Sequence, residues 1–146
     1  MPCVILLLET QHSRLFESAQ NLARTAGAGD DSWPGDLYGF RQLLVRHDRM
    51  ERDVFHRLGT PGACDPLVQT FDQVLASQPG LDAQAVASAA RQMTRAIEDH
   101  AQAQEVDLFP GLVERHPLTL RRQLGERYMR RPLEDVDLDD DAKAVA

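Results

Sequence analysis

Apolar residues recur along this chain at three- and four-residue intervals, and nothing alternates with period two over a useful length, so the pattern predicts helices and no sheet. The first helix is predicted over residues 4 to 25, with Leu8, Leu15, Phe16, Ala19, Leu22 and Ala23 on one stripe and a Gly-Ala-Gly breaker at 27 to 29. A loop with Pro34 and Gly35 follows, then a second helix from about 36 to 58. Its stripe is Phe40, Leu43, Leu44, His47, Glu51, Val54 and Leu58. After a turn at 59 to 62, Asp65 as N-cap and Pro66 at the first helical position predict a short third helix ending near Ser77. Pro79 and Gly80 break the chain before a fourth helix from about Asp82 to Leu108, extendable to Arg115, with Pro110 and Gly111 expected to kink or interrupt it. Val86, Ala89, Ala90, Met93, Ile97 and His100 form its inward stripe. An Arg-rich stretch at 120 to 131 reads as a short capping helix. Four helices joined by short loops predict an all-α fold, an antiparallel up-down-up-down four-helix bundle with a short C-terminal helix.

Polar residues interrupt these apolar stripes at particular places. In HDRME, 47 to 51, His47 and Glu51 are one turn apart and only ~40° apart around the axis, so both side chains reach one object. A solvated ion pair would explain that motif by itself. His12 and His100, however, also lie on inward stripes, each on a different long helix. Three histidines converging on a bundle interior are costly unless something ties them together. A shift of 53 residues superposes His47 on His100 and Leu44 on Ile97, and places His12 on Asp65 and Glu51 on Gln104, with Glu105 next to it. The two halves thus present matching polar positions. Imidazole and carboxylate without thiolate suit iron or manganese better than structural zinc. Glu51 could bridge two ions, which points to a dinuclear centre.

These elements resemble the hemerythrin-like, or HHE cation-binding, family over residues 4 to 115. The resemblance is carried by ETQH ending at His12, by HDRME at 47 to 51, and by HAQAQE followed by VDLFP at 100 to 110. It implies a four-helix bundle around a non-haem di-iron centre, in proteins that bind dioxygen, respond to oxygen, nitric oxide or iron, or help repair and store iron. His12, His47 and His100 match histidine ligands and Glu51 the bridging carboxylate. For the fourth helix many members place the acid where this chain has Gln104, whereas oxygen carriers place it where Glu105 stands. Glu105 is the expected ligand, with Gln104 a further candidate; position +5 is ~140° from His100 on a straight helix, so Glu105 needs favourable bundle geometry or a local bulge. The third helix departs from the family: it has no histidine, and offers Asp65, Gln69 and Asp72 instead. That leaves a mononuclear site, an unusual dinuclear one, or none.

Composition narrows the alternatives. The 146 residues suffice for one domain, expected over 1 to 131. Of the net charge of -7, most sits in an acidic tail, 132 to 146, expected to be disordered. The nearly neutral body gives no footprint for nucleic acid. The apolar run at 4 to 8 is too short for a signal peptide or membrane span, and Cys3 and Cys64 show no zinc or disulfide spacing, so a cytoplasmic protein is expected. Only Glu9 and His12 form a Glu-x-x-His pair, which fails the ferritin-like pattern, and neither a zinc-protease motif nor a phosphate loop appears. His56 and His116 are expected to face solvent. The expected function is therefore binding or sensing of a small ligand such as dioxygen or nitric oxide, or of iron, without enzymatic turnover. A metal-free bundle acting as an interaction or regulatory module is the alternative, with a second copy or another protein as partner.

Overall fold

A computed structural model of the chain describes residues 3 to 130, and the acidic tail lies outside them. Among the described residues every regular element is helical: α1 (Val4–Gly27), α2 (Trp33–Arg57), a 3₁₀ turn (Pro61–Ala63), α3 (Leu67–Ala76), α4 (Ala83–Gln102), a π-helical segment (Ala103–Leu108), α5 (Phe109–Arg115) and α6 (Leu118–Arg130). α1 packs against α2 and α4, α3 packs against the same two, and α6 lies on α1. Among the described residues no helix is long and apolar enough to cross a membrane.

The first two helices end on glycines whose positive φ turns the chain back. At Gly29 (φ 65°) the Asp30 N–H reaches the Thr25 carbonyl at 2.9 Å, and at Gly59 (φ 74°) the Thr60 N–H reaches Phe55 at 2.7 Å. These six-to-one bonds satisfy helix-end carbonyls, and only glycine enters that backbone region at little cost.

Three boundaries differ from expectation. α2 starts at Trp33, because Pro34 occupies its first turn, where a missing N–H costs nothing, rather than breaking the chain. Asp65 does not cap α3: the cap position is Pro66, and the orphan amides of Leu67 and Val68 donate to Asp48 of α2 at 2.9 and 2.8 Å. The fourth helix stops being α-helical at Gln102, and Pro110 then opens α5. Asp82, where the fourth helix is expected to begin, is its N-cap, accepting from Ala85 N at 2.8 Å.

Two apolar clusters hold the helices together. One gathers Leu15, Ala19, Leu22, Phe40, Leu44, Phe71, Val86, Met93 and Ile97, with Phe40 and Phe71 edge to face at 5.0 Å. The other gathers Val4, Leu8, Met50, Val54, Phe55, Phe109, Leu112 and Leu124. α6 is also tied to α2 by the Tyr128 hydroxyl, which donates to Asp53.

Candidate metal centre

Between the two clusters lies a polar layer. On α1 the order is Leu8, His12, Leu15; on α2 it is Leu44, His47, Met50; on α4 it is Ile97, then His100. His12 and His47 have apolar residues a turn away on both sides and His100 has Ile97 a turn before it, so the helical repeat that builds the core also points the imidazoles inward. His12, His47, His100, Glu51 and Gln104 are all buried, Glu51 completely.

One ring nitrogen from each histidine lies within 4.8 Å of the others. His47 Nε2 and His100 Nε2 are 3.3 Å apart, and Glu51 Oε2 is 2.9 Å from the first and 3.1 Å from the second. None of these approaches gives Oε2 a properly directed hydrogen bond, and His12 Nε2 is likewise buried without a partner. Donor atoms bound to one ion at about 2.1 Å stand about 3.0 Å apart in an octahedron and about 3.4 Å apart in a tetrahedron. The spacing among His47, His100 and Glu51 matches, with His12 further off.

Of the three outer ring nitrogens, that of His47 has a short hydrogen-bonding contact. Gln11 donates its amide N–H to Met50 Sδ, so its carbonyl oxygen faces His47 Nδ1 at 2.8 Å. A His47 ring that donates Nδ1–H to Gln11 would turn its Nε2 lone pair to the centre, the tautomer a metal ligand needs. His100 Nδ1 is buried without a hydrogen bond, with Asp65 Oδ2 at 3.6 Å, and His12 Nδ1 has Glu105 Oε1 at 3.5 Å. Phe109 stacks on His12, rings 7° from parallel.

Electrostatics follow from this crowding. Burial, with His47 and His100 adding to it, lowers the His12 pKa to about 3, so its imidazole is neutral at neutral pH. Burial works to raise the Glu51 pKa, but His100 and His47 outweigh it and hold the carboxyl at about 2. For His100 burial works downward, and Glu51 and then Asp65 outweigh it, leaving the pKa raised. The Cys64 thiol is pushed up to about 11 by burial and by Glu51, which makes it a poor thiolate donor.

The structure brings His12, His47, Glu51 and His100 together. Glu105 and Asp65 stand behind His12 and His100 respectively, Asp65 on an exposed loop whose backbone N–H also reaches Glu51 Oε1 at 3.3 Å. The bulge that a fourth-helix carboxylate would need is present as the π-helical segment, yet the residue it turns inward is Gln104, whose Nε2 donates to Glu51 Oε1. Gln69 and Asp72 are exposed, and Asp72 pairs with Arg41 at 2.9 Å, away from the centre. His56 is exposed and His116 half-buried. Gln11 and Asp48 were not legible as contributors: each neighbours a ligand histidine in sequence, where helical rotation points it elsewhere, and only the tertiary arrangement supplies its partner.

A cleft of about 590 Å³ opens between α1 and α4, lined by His12, Phe16, Glu17, Ile97, Glu98 and Glu105 among others. It connects solvent with the His12 side of the layer. No family model, curated protein or solved structure matches the chain.

Proposed function

We propose that this chain is a hemerythrin-like non-haem iron protein, an up-down-up-down bundle that binds or senses a small ligand such as dioxygen or nitric oxide. The observation that carries the reading is the buried group of His47 Nε2, His100 Nε2 and Glu51 Oε2, mutually about 3 Å apart with His12 beside them and no hydrogen bonds to satisfy Oε2. Without a cation these groups would be polar atoms taken from water with too few partners, a cost of some kcal/mol.

The donors fit iron. They are imidazole and carboxylate, with no thiolate available, and the Gln11 carbonyl oxygen orients the His47 ring, with Glu105 near the outer nitrogen of His12. Iron, when bound, would supply reversible redox chemistry and affinity for diatomic ligands. The residues themselves keep the site dry: Phe109 covers one side of His12, and Met50 and Ile97 bound the layer above and below. Access for a small ligand is by the α1–α4 cleft, whose apolar floor of Phe16 and Ile97 imposes little barrier to an uncharged diatomic molecule.

Elemental analysis of untagged protein from iron-supplemented culture, with its near-ultraviolet spectrum, tests the reading. Bound iron and its absorption should disappear in His47→Ala and persist in His56→Ala. Equal spectra in the two variants would sink the assignment, and a native chain without metal would favour a helical interaction module.

A further inference from the structure

We infer that the centre holds a single metal ion, and that Gln104 together with the Asp65 backbone keeps it from holding two. The inference rests on the metal-binding reading above. A carboxylate bridges two ions only when each oxygen turns a lone pair to a different ion. In this chain the two oxygens of Glu51 have opposite surroundings. Oε2 faces Nε2 of His47 and Nε2 of His100, whereas Oε1 accepts from the Gln104 amide N–H and from the Asp65 backbone N–H at 3.3 Å. A second cation on the Oε1 side would meet the positive ends of two N–H dipoles.

Charge argues the same way. The buried donors comprise three imidazoles and one carboxylate. One divalent ion leaves that set with a single excess positive charge, and a second would add two more, while the half-buried Asp48 is already engaged by the Leu67 and Val68 amides. Buried uncompensated charge is strongly unfavourable. The nearest other acids, Glu105 and Asp65, contact the outer nitrogens of His12 and His100 instead of facing the centre. The α3 segment contributes no buried side-chain donor, since Leu67 and Phe71 are its buried residues. Gln104 therefore occupies a position where an acid would have brought both the missing charge and a second bridging group, and supplies a neutral donor.

The test is a titration of metal-free protein with Co²⁺, followed by visible absorption and by elemental analysis after desalting, with Fe²⁺ under anaerobic conditions as a second probe. The native chain should saturate at one ion, and Gln104→Glu should take up a second. Gln92→Glu, an exposed change of the same chemistry on α4, should stay at one. Circular dichroism melting establishes that each variant is folded. Two ions in the native chain would overturn the inference, and a folded Gln104→Glu that still binds one would overturn the role given to Gln104. A folded native chain that binds none would overturn the metal-binding reading on which the inference rests.

Discussion

Replacing Asp48 with alanine should cost the metal-free protein about 2 kcal/mol while leaving its metal stoichiometry intact. The carboxylate accepts from two backbone amides, Leu67 at 2.9 Å and Val68 at 2.8 Å, at the start of a ten-residue helix with no cap of its own. Loss of an N-cap costs about 0.5 to 2 kcal/mol, and each hydrogen bond to a charged group contributes roughly 1.5 to 3. Against these stands the burial of the carboxylate, which raises the Asp48 pKa and whose cost the alanine would relieve. A net loss near 2 kcal/mol corresponds to a fall of about 8 °C in melting temperature for a chain of this size. Urea denaturation of the metal-free variant measures the loss, and hydrogen exchange should show the first amides of α3 opening most. Asp65→Ala is the control, because Asp65 is where local sequence rules put the cap; it should change stability by less than about 0.5 kcal/mol. An Asp65→Ala loss equal to or larger than that of Asp48→Ala would refute the cross-helix cap.

Other substitutions separate the polar layer from the rest. Gln11→Leu should weaken Co²⁺ binding about 10- to 100-fold, because His47 loses the acceptor that fixes its tautomer, and unchanged affinity in the titration would reject that role. Phe40→Ala should destabilise by about 3 to 5 kcal/mol in urea yet keep the native metal content, since its cluster lies on one side of the layer. Stability of the metal-free chain should peak near pH 6.5. Below 6.5 the unfolded chain protonates His12 while the folded one, with His12 at about 3 among His47, His100, Glu51 and Glu105, does not, so stability falls with pH. Glu51 adds to the fall below its unfolded value of 4.5. Above 6.5 the raised pKa of His100 means the folded state holds an extra proton, whose contribution is lost as pH rises. His12→Gln should flatten the limb between 6.5 and 4.5 in denaturation curves recorded across pH.

Helical periodicity made most of the architecture legible. His12, His47, Glu51 and His100 could be placed inward because each continues an apolar stripe, and that argument requires nothing beyond one helix at a time. The all-helical reading has the same origin. Local rules failed where partners came from elsewhere in the chain. Asp65-Pro66 has the composition of a helix start, but Asp48, remote in sequence, already satisfies those amides. Whether Gln104 or Glu105 turns inward depends on the register of a π-helical segment, and one residue of register rotates a side chain by about 100°. No spacing rule applied to a straight helix can resolve that choice.

The polar layer also divides the interior. Apolar packing above it joins α3 and the early part of α4 to the middle of the bundle, and apolar packing below it joins α5 and α6 to the chain's beginning. Neither cluster continues through the histidines, so few apolar contacts transmit order from one to the other. In thermodynamic terms two apolar clusters separated by a seam, crossed by α1, α2 and α4, should open as two cooperative units. An ion coordinated from all three helices would act as a rivet across that seam. Its loss should show as a divergence of opening free energies between the two ends in native-state hydrogen exchange, even where the helical content is unchanged.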